Sequence, residues 1–174
     1  MNLNKIALVL GLGLSIAAGA ANAADQGHGT VTFVGSIIDA PCSITPETSE
    51  QIVRMGQIST AELKDGGRSN SRAFKIALEN CTTETLKTVQ TTFTGAPSSI
   101  VDGSLAIEGK AQNAAIVLTN AGGKQIKLGT ASDAVTLKDG NNDLNFAAYM
   151  QGNSENAATP GEFKAIATFA LNYQ

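Results

Sequence analysis

The stretch FKAIATFALNY, Phe163–Tyr173, alternates without interruption. Phe163, Ala165, Ala167, Phe169, Leu171 and Tyr173 fall on one side, and Lys164, Ile166, Thr168, Ala170 and Asn172 on the other. A period of two residues marks a strand with one face against a core. A second alternating stretch, TVTFVGSII at Thr30–Ile38, places Val31, Phe33, Gly35 and Ile37 on one side and Thr30, Thr32, Val34 and Ser36 on the other. Asp39-Ala40-Pro41 ends it, because proline cannot continue a ladder. The polar, glycine-rich segment ADQGHG, Ala24–Gly29, precedes it and is expected to be mobile.

Between these ends the chain reads as short strands and turns. Arg72–Leu78 sets Phe74, Ile76 and Leu78 against Ala73, Lys75 and Ala77 and runs on to Cys81. Lys87–Thr94 is threonine-rich, which suits a half-exposed strand. Ala114–Thr119 and Lys124–Leu128 flank Asn120-Ala121-Gly122-Gly123, a hairpin pattern. Leu144–Met150 is an apolar strand, with turns at Asp102-Gly103 and Asp139–Asn142 and a polar loop at Asn153–Gly161. Pro46–Glu50 reads as a turn and Ile52–Ile58 as a short strand interrupted by Gly56. Ser59 and Glu62 stand at capping-box spacing, so Ser59–Leu63 is expected to form one helical turn. Beyond the N-terminal segment no helix of three turns is expected. The pattern is that of an all-β sandwich in one domain.

The N-terminus has another purpose. Lys5 precedes the uncharged apolar run IALVLGLGLSIAA, Ile6–Ala18, and small residues follow, ending at Ala21-Asn22-Ala23. This is the order of a secretory signal peptide, and the run falls short of the ~20 residues that span a bilayer. Residues 1–23 are therefore expected to be removed. Of 174 residues, loss of 23 leaves 151. Twelve Lys and Arg less Lys5, against fifteen acids, give a net charge of −4. An exported chain with two cysteines reads as one disulfide, Cys42–Cys81, closing a loop worth about 4 kcal/mol on the chain-entropy account.

Composition excludes several functions. A net charge of −3 for the whole chain supplies no basic stripe for nucleic acid. Aromatic residues make up 5% with no Trp, so stacking platforms for bases or sugars are scarce. The one histidine, His28, lies in the leader and reads as a solvated residue. Asp65, Asp102, Asp139 and Asp143 sit at turns, each with an ordinary local role. Asp139–Asp143 lacks the glycine and terminal Glu spacing of a calcium loop, and Gly122-Gly123-Lys124 lacks the remainder of a phosphate loop. No catalytic, cofactor-binding or metal-binding residues are assigned, and the chain is not expected to be an enzyme.

With these features in place the sequence resembles a pilin of the chaperone–usher type, near the major subunits of P-type and type 1 enterobacterial fimbriae. The resemblance is carried by GHGTVTFVG (Gly27–Gly35), IIDAPCSI (Ile37–Ile44), LENC (Leu78–Cys81), LKDGNNDL (Leu137–Leu144) and FALNYQ (Phe169–Gln174). Gly161 stands fourteenth from the end and Tyr173 is penultimate. The resemblance implies an incomplete immunoglobulin-like sandwich lacking its last strand, completed by a donor strand from a neighbouring subunit. It implies three parts: signal peptide 1–23, N-terminal donor extension 24–37, and pilin domain 38–174. Gly29, Val31, Phe33, Gly35 and Ile37 would be the donor residues. Phe163, Ala165, Ala167, Phe169, Leu171 and Tyr173 would border the groove and meet a periplasmic chaperone. The implied partners are identical subunits, that chaperone, an outer-membrane usher, and tip and adaptor pilins. The implied destination is a fimbria on the bacterial surface, reached through the periplasm. A minor pilin or terminator of the same fibre is the alternative, and a secreted carbohydrate-binding module a more distant one.

Overall fold

The computed structural model describes Gly29–Gln174, so the expected signal peptide, His28 and the first part of the leader lie outside the described residues. The chain divides into two units between Ile37 and Ile38.

In the second unit, eleven strands form three sheets. The largest is ordered β1 (Ser43–Ile44), β2 (Arg72–Cys81), β9 (Gly140–Gly152), β6 (Ala114–Asn120) and β4 (Leu105–Ala106), with β7 (Gln125–Ile126) also paired to β6. The second runs β11 (Ala167–Tyr173), β3 (Thr88–Gly95), β8 (Val135–Thr136), and β10 (Phe163–Lys164) pairs with β5 (Glu108–Gly109) in a third. Every pairing is antiparallel.

The register follows from the alternation. Phe74 lies opposite Phe146, Ile76 opposite Leu144, and Ile116 opposite Met150, so the apolar side of each strand in the large sheet joins one face. The alternate residues Val89, Thr91 and Phe93 of β3 are buried against it. Phe93 bridges the two sheets, with its ring centroid 5.1 Å from Phe146 and 6.2 Å from Phe74, both edge to face. Such aromatic pairs contribute ~0.5–1.5 kcal/mol beyond their buried area. The two faces therefore form one sandwich core, which includes Leu78, Leu105, Leu118, Ile126 and Leu137. Cys42 and Cys81 are joined as a disulfide with Cα atoms 4.1 Å apart, tying the start of this unit to the end of β2. The Thr82 N–H donates to the Pro41 carbonyl beside the bridge at 3.0 Å.

Several elements depart from the sequence reading. Pro46–Ser49 is one turn of helix rather than a plain turn. Pro46 occupies the first turn, where its missing N–H costs no bond, and the N–H groups of Thr48 and Ser49 both reach the Thr45 carbonyl. Ile52–Ile58 forms no ladder: Gly56 turns at φ +77, and the stretch is tied to the neighbouring β2 by side chains instead of backbone pairs. Ser59–Leu63 is a hydrogen-bonded turn instead of an α-helical one. The Ser59 hydroxyl accepts from Ala61 N–H at 3.2 Å, one residue short of the capping-box partner. A 3-10 turn at Lys64–Gly66 follows, with Asp65 at φ 53. The last β-region is two strands, not one. β10 faces β5, the chain breaks at Ala165-Ile166, and β11 then pairs with β3. β9 starts at Gly140, inside the expected turn, and β8 is a two-residue edge without a sequence signal. Thr30–Ile38 carries no ladder among the described residues, since alternation specifies a strand's faces but supplies no hydrogen-bonding partner.

Candidate functional site

The terminal strand is incompletely covered. Phe163, Ala165, Phe169, Leu171 and Tyr173 pack against the core, yet each remains partly exposed, and Ala167 is exposed outright. Their counterparts on β3, Val89, Thr91 and Phe93, are sealed. The difference lies in the neighbours. β3 has β11 on one side and β8 on the other, whereas among the described residues β11 pairs with β3 alone. The outer edge of β11 therefore presents a row of unpaired backbone groups, with a half-covered apolar face beneath it. Burial pushes the Tyr173 phenol above its ordinary value, as expected for a ring at the margin of the core.

A second unpaired stretch contributes to the same core. Met55 and Ile58, in the segment expected to be a strand, pack against the core cluster while Ile52, Arg54, Gly56 and Gln57 are exposed. This segment is held beside β2 by side chains: Gln51 Nε2 donates to the Lys75 carbonyl at 3.0 Å, and Arg72 Nε to the Met55 carbonyl at 3.3 Å. Gln51–Arg54 and Ser71–Lys75 line an open cleft of about 510 Å³ that reaches Phe74. Phe74 is only partly buried, although it packs 5.6 Å from Phe146. The sandwich is thus closed on most sides and open where a strand could be added.

The leader has the complementary character. Val31, Phe33 and Ile37 are 75, 90 and 104% exposed, which is unusual for three large apolar residues on one side of a strand pattern. Nothing lies within 4 Å of a side chain built at Gly29 or Gly35. Gly161 is a different case. A Cβ there would fall 2.6 Å from the Ala111 nitrogen, so this glycine permits the loop before β10 to cross the chain at Lys110-Ala111.

Asp102, Asp133 and Asp139 serve turns and loops, whereas Asp143, expected at a turn, lies inside β9 and bridges to β2. Asp139 accepts from the Thr83 N–H at 2.8 Å and its hydroxyl at 2.7 Å, and these bonds hold its carboxyl below the usual range. Lys127 does the same for Asp102 and Lys124 for Asp133, in each case by hydrogen bond and charge. Asp143 pairs with Lys75 at 2.8 Å, and Asp65 lies 4.0 Å from Lys64. Gly122 and Lys124 donate their N–H groups to the Asn120 side chain, which makes Gly122-Gly123-Lys124 a hairpin turn. Among the described residues no cluster of three His, Cys, Asp or Glu could hold a metal ion.

A family model described as fimbrial protein matches residues 31–174. The major MR/P fimbria protein of Proteus mirabilis strain HI4320 is 74% identical over 175 residues, covering 100% of each chain. Among solved structures, a chain of a chaperone–usher pilus aligns with a TM-score of 0.76 at 38% identity, over 86% of this chain and 97% of that one. The crystal structure of the P pilus rod subunit PapA gives 0.70 at 35% identity, over 78% of this chain and 100% of that one. An immunoglobulin-like sandwich with one side open, matched in sequence almost from end to end, places the chain in the fimbrial protein family, as a structural pilin of the chaperone–usher type.

Proposed function

We propose that the chain polymerises by donor-strand exchange. The observation that supports this is the mismatch between its two ends: a terminal strand whose apolar face is half covered and whose outer edge is unpaired, and a leader whose alternate apolar residues are exposed. Residues 1–23 direct export and are removed. Residues 24–37 form the donor strand. The domain 38–174 accepts the donor of another copy, between β11 and the Ile52–Ile58 segment. Val31, Phe33 and Ile37 enter the groove, while Gly29 and Gly35 pass where it has no depth for a side chain. Phe163, Ala165, Ala167, Phe169, Leu171 and Tyr173 line the accepting side.

The energetics favour a durable joint. Burying Val31, Phe33 and Ile37 contributes ~1.5–3 kcal/mol each. Each new backbone hydrogen bond adds ~0.5–1.5 kcal/mol net. Strand addition to a free edge is a general mode of recognition, and an uncovered edge invites aggregation. A periplasmic chaperone covers β11 until an outer-membrane usher brings the next donor. Donor and acceptor are different surfaces of the same chain, so the contact is head-to-tail and generates a filament. The fibre is a homopolymer of this subunit on the cell surface, joined to tip and adaptor pilins at its distal end.

Deletion of residues 24–36 tests this reading. The shortened chain should be captured by the chaperone but form no fibre, and a synthetic peptide of residues 24–37 should displace the chaperone. Fibres from the shortened chain alone would refute the donor assignment.

A further inference from the structure

Among the described residues eight large hydrophobic side chains stand exposed, and five of them lie in Val31–Ile38. Insertion of Val31, Phe33 and Ile37 accounts for one side of the leader only. Val34, between Phe33 and Gly35 on the opposite side, is 92% exposed. Two further residues share this character, one on the segment tethered beside β2 and one at the break before β11. Ile52, 83% exposed, precedes the partly buried Val53, and Met55 beyond it packs on the core, so Ile52 shares the outward side with Arg54. Ile166, 59% exposed, follows the core-packed Ala165 and stands at the break before β11.

We propose that the leader of a second copy is gripped on both faces. This rests on the donor-strand reading and extends it to the outer surface of the joint. When Val31, Phe33 and Ile37 turn inward, alternation turns Val34 outward, and it packs against Ile52 on one border and Ile166 on the other. Strands lie ~4.7–4.9 Å apart, so an inserted donor brings its outward side chains within cross-strand reach of both borders, ~4.5–5.5 Å for directly opposed pairs and ~7–8 Å for diagonal ones. All three are β-branched, the type that packs best on a pleated surface. Isolated exposed hydrophobes need no partner. Three that one strand insertion would bring together, on segments continuous with the proposed interface, form a contact surface for a second copy of this chain. The joint then reads position 34 as well as the inward residues, and discriminates against leaders with a polar residue there.

The test uses fibres of the full chain and the rate at which subunits dissociate on heating in detergent, followed by electrophoresis without boiling. Val34→Ala should dissociate roughly two- to fivefold faster, the range for one cross-strand pair. If Val34 touches Ile52 or Ile166, at least one double variant, Val34→Ala/Ile52→Ala or Val34→Ala/Ile166→Ala, should dissociate more slowly than the product of the single effects predicts. An unchanged rate for Val34→Ala, or multiplicative effects in both double variants, would overturn the proposal. Phe33→Ala is the control for the underlying reading: if it too dissociates at the parental rate, donor insertion itself fails, whereas a fast Phe33→Ala beside a normal Val34→Ala rejects the outer grip alone.

Discussion

Phe169 of β11 meets Phe93 of β3 with ring centroids 6.5 Å apart, and the two rings differ in burial: Phe93 is enclosed, while Phe169 is half-buried. Phe93, on β3, is covered by the large sheet through Phe74 and Phe146. Phe169 is at the margin, where the second sheet ends. The core is therefore closed around Phe93 and only partly covered along β11.

That asymmetry predicts different mutational costs. Phe93→Ala should destabilise the subunit by about 3–5 kcal/mol in any state, the range for an enclosed aromatic. Phe169→Ala should cost about half as much in the leader-deleted chain and approach the Phe93 value in assembled fibres, where the donor buries it. Denaturant unfolding of both forms checks this; equal costs for Phe169→Ala in the two states would show that its exposure does not change on assembly.

The covalent state is a second expectation. Mature protein should begin at Ala24, and its mass should rise by two hydrogens on reduction of Cys42–Cys81. Cys42→Ser/Cys81→Ser should lose about 4 kcal/mol, because the bridge closes a 39-residue separation. Intact mass spectrometry and thermal unfolding measure the two effects. Retention of residues 1–23, or free thiols before reduction, would contradict it.

Acid should act through Asp139. Its folded-state pKa lies below the ordinary value of 3.8, owing to the Thr83 hydrogen bonds. A lowered pKa contributes stability that is present above the unfolded value and is lost as pH falls through the folded one. Asp139→Ala should therefore lower the thermal midpoint slightly at neutral pH, and the gap from the parent should close in acid below the carboxylate range. Midpoints measured as a function of pH test this; a gap that widens in acid would assign the effect to something other than the carboxylate.

The alternation of Ala167–Tyr173 was legible in the sequence because a period of two is written into that strand, whereas Thr30–Ile38 has the same alternation and no ladder among the described residues. Also legible were β2, β3, the β6–β7 hairpin and the disulfide. The break at Ala165-Ile166 was not legible, because it depends on a tertiary approach: a Cβ at Gly95 would lie 2.6 Å from the Ile166 carbonyl oxygen, and this crossing separates the partner of β10 from that of β11. Ile52–Ile58 has strand chemistry without a ladder, since alternation does not report whether the chain pairs with its neighbour through backbone or, as here with β2, through side chains. The side-chain tethers of that segment, Arg72 to Met55 and Gln51 to Lys75, join positions 17 and 24 residues apart and leave no local signal.

Gly35 carries the expectation for register. It shares its side of the leader with Val31, Phe33 and Ile37, where a side chain would otherwise enter the groove. Gly35→Asn should fold and bind chaperone normally yet fail to polymerise. Overpacking costs ~1–3 kcal/mol, and a one-residue slip would turn Val31 and Phe33 outward. Gly29→Asn, nearer the leader's start, should be milder. Fibre growth of the chaperone-bound variants followed by electrophoresis decides it, and normal ladders from Gly35→Asn would make this glycine a flexibility device only.

The central claim is that the leader of one copy lies against β11 of another. Fibres assembled from an equal mixture of heavy-isotope-labelled and unlabelled chains, each with a photoreactive phenylalanine in place of Phe33, test it most directly. After irradiation, the account predicts cross-links from position 33 to the Phe163–Tyr173 peptide, with labelled and unlabelled chains joined as often as like chains. Cross-links confined to like-labelled pairs, or directed away from that peptide, would contradict it.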